Sequence, residues 1–228
     1  MISVFTKPFA GFLFDMDGTI INSAASTDRV WGRWAVRHGL DPHELLAKMH
    51  GSRSVDTIRR LNLPGVDPER EAAAIEAEEA DDIEDVVAIP GAQTFLNSLP
   101  ARRWALVTSS SKKLVLRRLE AAQLPVPEFL VTAEEVVHGK PDPEAYLLGA
   151  EKLGVNARDC LIFEDTMPGL NAGEAAGGNI LLISAVHNPP LASEHEAVDD
   201  FRQLRAVPSN DGAVLRIEKI TGSSIAGG

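Results

Sequence analysis

This chain of 228 residues carries 33 acidic and 22 basic side chains, a formal net charge of −11, and one cysteine. The length suits one substantial core plus a smaller module, and the acidity argues against a general nucleic-acid or anionic-membrane surface. An anionic small-molecule substrate is not excluded, because a local metal ion and a lysine can set the sign of a pocket within a Debye length of roughly 8–10 Å. No run approaches the roughly 18 apolar residues of a membrane span, and Met1–Phe5 lacks the regions of a signal peptide. A cytoplasmic protein without membrane or nucleic-acid partners is therefore expected. Cys160 has no partner for an internal disulfide, which fits a reducing compartment; it begins an apolar run and is expected to be inert core.

The first apolar run, Phe12-Leu13-Phe14, reads as a strand ending in Asp15-Met16-Asp17-Gly18-Thr19. Paired acids at a strand end make poor core, because unpaired buried charge is costly unless a metal or cation compensates it. They suit a Mg²⁺ and phosphoryl-transfer site. One carboxylate can attack phosphorus while binding the metal, and the other can pass a proton to or from the oxygen on the far side. Beyond this turn the period becomes helical. Val30, Trp31, Trp34, Ala35 and His38 share one face of a helix that Gly39 can end, and further helices are expected over residues 42–49, 53–61 and 68–83. Trp31 and Trp34 are expected to be core of this helical unit. The last helix is dense in Ala and Glu with a weak apolar face, so its acids, from Glu69 to Asp85, read as a solvated surface.

After Ile89-Pro90-Gly91, strands over 104–107, 129–131, 160–163 and 179–183 alternate with helices over 112–122, 143–153 and 168–176. This alternation predicts an α/β fold, a doubly wound parallel sheet covered on both faces. Ligands in such folds bind beyond the carboxyl ends of the strands. Residues 1–21 and 87–228 would form this core. Residues 22–86 would form an inserted α-helical cap domain over the same edge. The tail holds a short helix around 201–204 and an alternating segment over 214–220, and 222–228 is expected to be frayed.

Each strand end delivers polar residues to one edge. Trp104–Val107 ends in Thr108-Ser109-Ser110, whose hydroxyls and amides can hold phosphate oxygens or cap the next helix. In Gly139-Lys140-Pro141-Asp142-Pro143, stiff backbone positions the lysine, Asp142 can cap and Pro143 can start a helix. The neighbouring His138 reads as an exposed loop residue. Leu161-Ile162-Phe163 ends in Glu164-Asp165, a second acid pair whose crowding calls for a cation.

Acids, hydroxyls, lysine and acids again, in that order, resemble the four motifs of the haloacid dehalogenase superfamily of phosphohydrolases. The helical insert after Asp17 resembles the superfamily's α-helical cap subgroup. The runs Phe14–Ser23, Pro90-Gly91-Ala92, Val107–Ser110, Gly139–Tyr146 and Phe163–Thr166 with Pro168-Gly169 look most like bacterial sugar and hexitol phosphatases. The resemblance implies a Rossmann-like core and a Mg²⁺-dependent phosphatase of small phosphomonoesters, acting on sugar or sugar-alcohol phosphates. It implies Asp15 as nucleophile and Asp17 as general acid and base. Mg²⁺ would be held by Asp15, the backbone carbonyl of Asp17 and Asp165, with Glu164 assisting directly or through water. Ser109 with the backbone of Ser110 would bind phosphate, Thr108 being the alternative hydroxyl, and Lys140 would compensate nucleophile and phosphoryl group. Thr19 would shape the turn. The run His50-Gly51-Ser52-Arg53 resembles a substrate loop of 2-deoxyglucose-6-phosphate and glycerol phosphatases, which makes Arg53 a substrate-binding candidate. The alternative is a β-phosphoglucomutase-type mutase. That pattern has a cap histidine shortly after the first motif, where this chain has Thr27-Asp28. A monomer is expected.

Overall fold

The computed structural model describes residues 3–187, 189 and 191–220; the 222–228 segment expected to be frayed lies outside them. In chain order the elements begin with β1 (Gly11–Phe14), a two-residue β2 (Ile21–Asn22), and the helices α1 (Ala24–Arg37), α2 (Pro42–Met49), α3 (Ser54–Leu61) and α4 (Pro68–Asp81). There follow β3 (Val87–Ala88), α5 (Ala92–Asn97), β4 (Trp104–Val107), α6 (Lys112–Ala121), β5 (Phe129–Val131) and α7 (Glu144–Leu153). The chain continues through β6 (Cys160–Glu164), α8 (Met167–Ala175), β7 (Asn179–Ile183), β8 (Ala197–Val198), and β9 (Leu204–Pro208) paired with β10 (Leu215–Lys219).

Every residue of β1 is buried, because alternate side chains enter two separate cores. Phe12 and Phe14 join Phe95, Val115, Leu119 and Phe163 on one face of the sheet, and Leu13 joins Val107, Tyr146 and Ile162 on the other. The Phe14 and Phe163 rings stack with centroids 4.3 Å apart, a pairing worth about 0.5–1.5 kcal/mol beyond its area. The six strands run in the order β5-β4-β1-β6-β7-β8, parallel throughout, with Phe14 opposite both Leu106 and Phe163. The chain leaves β1 toward β4 and β5 on one side, then crosses back to β6 on the other. The reversal puts the binding crevice at the carboxyl end of β1.

Helices α1 to α4 bury their own cluster, which includes Val30, Trp31, Trp34, Leu45, Met49, Ile58 and Ile75. Both tryptophans are in that cluster, as their helical spacing implied. Where this unit leaves and rejoins the sheet, β2 and β3 pair antiparallel, Ile21 with Ala88 and Asn22 with Val87. The sequence pattern missed this two-strand stem, and also α5, β8 and β9. All are short, and their pairing or packing partners lie far along the chain. Residues 201–203 form one 3₁₀ turn rather than a regular helix, leading directly into β9, while the alternating segment is β10.

Helix α4 corrects one expectation. It stops at Asp81 and buries Ala72, Ile75, Glu79 and Ala80, so its acids are not all solvated. Glu78 and Asp82 do lie near the surface, paired with arginines of α1, contacts worth about 1 kcal/mol or less each. Glu79 is buried beside a cation from the core. Cys160 is buried at the start of β6, and burial pushes its thiol up to about 12, so it is unreactive packing. Among the described residues no helix is long and apolar enough to cross a membrane.

Candidate active site

The edge where β1, β4 and β6 end gathers the four motifs. Asp15 extends β1 by one residue, its amide donating to Phe163 O at 3.0 Å. Lys140 Nζ reaches across to it, 2.6 Å from Asp15 Oδ1, 2.6 Å from Glu164 Oε1 and 3.3 Å from Val107 O. A lysine that is 4% exposed is tolerable here because two carboxylates and a carbonyl replace water around it; both acids raise its proton affinity despite the burial that opposes it. Helix α7 places this lysine. Asp142 Oδ1 accepts from Glu144 N at 2.9 Å just ahead of the helix, which starts at Glu144 with Pro143, not Asp142, at its N-cap position. His138 is exposed beside Glu144.

Glu164 is fully engaged. Oε1 also accepts from Tyr146 Oη at 2.7 Å, while Oε2 accepts from the amides of Asp165 at 2.9 Å and Thr166 at 3.1 Å and from Thr166 Oγ1 at 3.2 Å. Burial alone would raise its carboxyl, but Lys140, Tyr146 and the Thr166 amide outweigh burial and hold it below the ordinary glutamate value. Asp165 stands free of that cradle. Its Oδ1 accepts from Thr19 Oγ1 at 3.2 Å, and its Oδ2 lies 3.1 Å from His187 Nε2. Thr19 Oγ1 also lies 3.2 Å from Asp15 Oδ2, so this hydroxyl ties the two acids together within the turn. Gly18 is required beside them: its φ is +88°, and a Cβ there would sit 1.9 Å from Asp165 Oδ2.

These acids fit a divalent cation. Asp15, Glu164 and Asp165 each offer a carboxylate oxygen within 4.8 Å of the others, and all are buried. Three carboxylates face one lysine. Burial, with the neighbouring carboxylates adding and Lys140 opposing, pushes Asp15 well above its ordinary value. Burial and Glu164, opposed by His187, take Asp165 to about 6. Such an excess of buried negative charge, built from hard oxygen donors, is what Mg²⁺ relieves.

Asp17 lies at the open side of this centre. Its Oδ1 accepts from Ser23 Oγ at 2.6 Å and Arg118 Nη1 at 2.8 Å, and its Oδ2 from Ser110 Oγ at 3.2 Å. Ser23 thereby gives up capping α1, whose N-terminus has no side-chain cap. A cleft of about 210 Å³ separates this edge from the helical unit. The sheet unit contributes Asp15, Asp17, Thr108, Ser109, Ser110, Arg118 and Asp165, and the inserted helical unit contributes Thr27, Trp31, Met49 and Glu79 from its helices and His50 and Ser52 from the turn between α2 and α3. Desolvation at the cleft lowers the proton affinity of His50, whose side chain otherwise stays exposed.

Two expectations meet a different geometry. Ser109 Oγ donates to Gly51 O at 3.0 Å and the Ser110 amide to Thr108 Oγ1 at 3.1 Å, so both of the expected phosphate donors are engaged within the closed cleft. Arg53 does not line the cleft. Its guanidinium binds Asp56 and the carbonyls of Val136 at 2.9 Å and Val137 at 2.8 Å, so it braces the segment that leads to Lys140. As the first residue before α3 it sits where the chain turns back to the core, and those free carbonyls capture it. Sequence reasoning missed Arg118, Glu79, Tyr146 and His187. Arg118 falls one helical turn from Leu114 on the buried face of α6, a position where an arginine signals a buried partner.

The family described as haloacid dehalogenase-like hydrolase matches residues 9–177. Hexitol phosphatase A from Escherichia coli is 38% identical over 210 residues, covering 90% of this chain and 97% of that protein. The 2-deoxyglucose-6-phosphate phosphatase 2 of Saccharomyces cerevisiae is 31% identical over 228 residues, covering 89% and 92%. Among solved structures, beta-phosphoglucomutase from Clostridium difficile superposes with a TM-score of 0.73 over 86% of this chain and 93% of that one, at 21% identity, which speaks for the fold alone. With two acid pairs, a lysine and a hydroxyl loop gathered at one switch-point edge, and with a family match spanning most of its length, this chain belongs to the haloacid dehalogenase-like hydrolases.

Proposed function

We propose that this chain is a Mg²⁺-dependent phosphatase of sugar or sugar-alcohol phosphates that works through an aspartyl phosphate on Asp15. The observation that carries the reading is the placement of Asp15 between Lys140, 2.6 Å away, and Asp165, with Asp17 beside them at the mouth of a closed cleft. The relatives' names supply the substrate class.

An Asp15 carboxylate oxygen attacks phosphorus in line with the ester oxygen. The phosphorus–oxygen ester bond breaks, and Asp17 gives its proton to the departing alkoxide. Asp17 then takes a proton from the water that attacks the aspartyl phosphate, which releases inorganic phosphate and restores Asp15. Lys140 stays protonated and balances charge on Asp15 and the equatorial oxygens. Glu164, held by five donors, fixes Lys140 and the Asp165 backbone. Asp15, Asp165 and the backbone carbonyl of Asp17 would hold Mg²⁺, which supplies charge neutralisation and alignment of the phosphoryl group. Thr108, Ser109 and Ser110 supply phosphate contacts once the Gly51 contact opens.

Residues 22–86 act as a cap that closes over this edge, hinged at the β2–β3 stem, in a cytoplasmic monomer. The test is phosphate release from hexose, hexitol, deoxyhexose and glycerol phosphates and β-glucose 1-phosphate, with Mg²⁺ and with EDTA. Mg²⁺-dependent release concentrated on sugar and polyol phosphates is expected. Conversion of β-glucose 1-phosphate to the 6-phosphate without free phosphate would overturn the reading in favour of a mutase.

A further inference from the structure

Arg118 is 2% exposed and joins three groups that the reading above leaves unconnected. Its Nη1 donates to Asp17 Oδ1 at 2.8 Å, and its Nη2 donates to Glu79 Oε1 at 3.0 Å and to Thr27 Oγ1 at 3.0 Å. Thr27 Oγ1 in turn lies 3.0 Å from Glu79 Oε1. Asp17 and Arg118 belong to the sheet unit, and Thr27 and Glu79 to α1 and α4 of the helical unit. All four line the cleft. A buried glutamate on a helix otherwise rich in solvated acids is costly, and one guanidinium between two carboxylates does not neutralise both.

The charge of the whole cleft narrows what can enter. Among the described residues Arg118 is the one arginine or lysine lining it, against the carboxylates of Asp15, Asp17, Glu79 and Asp165. That single cation is already committed at both ends. His50 lines the cleft with an exposed side chain whose proton affinity desolvation lowers, and His187 is paired with Asp165. A cation at the phosphate end balances the transferring phosphoryl group but leaves nothing for a second anion at the far end. What the far end does offer is hydrogen bonding: Glu79 Oε2 carries no bond while its other oxygen carries two, and Thr27 Oγ1 stands beside it, whereas Arg118 Nε–H is shut from the cleft. Trp31 and Met49 supply an apolar wall beside them. Such a set suits a chain of hydroxyls.

We infer that Thr27, Glu79 and Arg118 form the leaving-group subsite, shaped for a neutral polyhydroxyl chain and set against a leaving group that carries its own anion. The inference rests on the phosphatase reading and names the specificity of that same site. Because Asp17 would protonate the leaving oxygen, the cap groups Thr27 and Glu79, tied to Asp17 through Arg118, stand beside the leaving group. Arg118 acts there as a positioning residue for Asp17, and Glu79 as the determinant of charge selectivity. Like charge brought together without a counter-ion costs several kcal/mol, so the discrimination is large.

The test uses a matched pair, sorbitol 6-phosphate and 6-phosphogluconate, which differ in one terminal group, a hydroxymethyl against a carboxylate. The wild-type chain is expected to favour the neutral ester by about a hundredfold in kcat/KM. Glu79→Gln frees Arg118 for an incoming carboxylate and should narrow that ratio at least about tenfold, chiefly by lowering KM for the acidic ester. Glu79→Asp keeps the charge and should keep the preference. Equal use of the two esters by the wild-type chain, or an unchanged ratio in a folded Glu79→Gln protein, would overturn the inference, and the wild-type comparison decides even if that variant does not fold. Mg²⁺-dependent release from p-nitrophenyl phosphate is read alongside. Release there with neither ester hydrolysed removes the subsite and leaves the catalytic centre standing. No release from any of the three removes the phosphatase reading and the subsite with it.

Discussion

Replacing Lys140 with methionine tests whether the buried charge network holds the site and part of the fold together. Lys140 Nζ lies 2.6 Å from Asp15 Oδ1 and 2.6 Å from Glu164 Oε1, and all three residues are under 10% exposed. Methionine fills similar volume but leaves two buried carboxylates without their cation. Removing one partner of a buried ion pair costs about 3–5 kcal/mol, a large share of a typical domain stability of about 5–15 kcal/mol. At about 2–4 °C per kcal/mol for a chain of this size, melting should fall by roughly 6–20 °C. The second acid is the control. In Lys140→Met/Glu164→Gln one of the two stranded charges is gone, the amide oxygen can keep the Asp165 and Thr166 amides as donors while its NH2 donates to the Tyr146 oxygen, and the protein should regain part of that loss. Activity should not return in either protein, because the phosphoryl group still lacks its cation; each should lose at least about a hundredfold in kcat. Urea denaturation in EDTA gives the stabilities and phosphate release in Mg²⁺ gives the rates. A loss of stability below about 1 kcal/mol in the single variant, or no recovery in the double, would refute the argument.

Asp15→Asn should abolish turnover while the protein folds and still binds a substrate measurable by calorimetry; full activity would overturn the assignment of the nucleophile. Removing divalent cations with EDTA should stop phosphate release, and adding Mg²⁺ should restore it. Gly51→Ala tests cap closure: φ there is +81°, and a Cβ would sit 2.3 Å from Thr166 Oγ1, so kcat/KM should fall about tenfold while melting moves only a few degrees. Adding Thr166→Ala should recover part of that activity, which a purely local backbone strain would not allow. Cys160 should resist a soluble thiol reagent in the native protein and react on unfolding, as its buried position and raised thiol value require.

The centre of the sheet was legible because β1, β4 and β6 are short apolar runs with every residue buried, and because each ends where polar residues break the run. Where an element depends on a distant partner, the pattern was silent. β2 is two residues long and exists because β3, 65 or more positions later, lies beside it; no local signal records that. α5 is hidden between Pro90-Gly91 and Pro100, which read as loop punctuation, though its Phe95 is central to one core. The 201–203 turn looked helical because Phe201 and Leu204 share a three-residue spacing that a 3₁₀ turn also satisfies.

The site divides along the same line. Asp15, Asp17, Glu164 and Asp165 stand at strand ends, where a charge breaks an apolar run, and Lys140 in the stiff loop that leads from β5 to α7, so their convergence follows from the topology. Glu79 sits in a helix among other acids, where nothing in the sequence separates a solvated side chain from a buried one, and Arg118 carried only the faint signal of an arginine one turn from Leu114. Their meaning appears only when the helical unit closes on the sheet and each becomes the other's reason for being buried. Arg53 is the converse case. Its place after His50-Gly51-Ser52 pointed toward substrate, but two free carbonyls at Val136 and Val137 lay within its reach. A guanidinium with five donors satisfies fixed acceptors before a transient ligand. Residues that read substrate across a cap–core interface are therefore best sought as buried charges that join the two units and leave an accessible donor or acceptor unused, which is what Glu79 does through Oε2 and Arg53 does not.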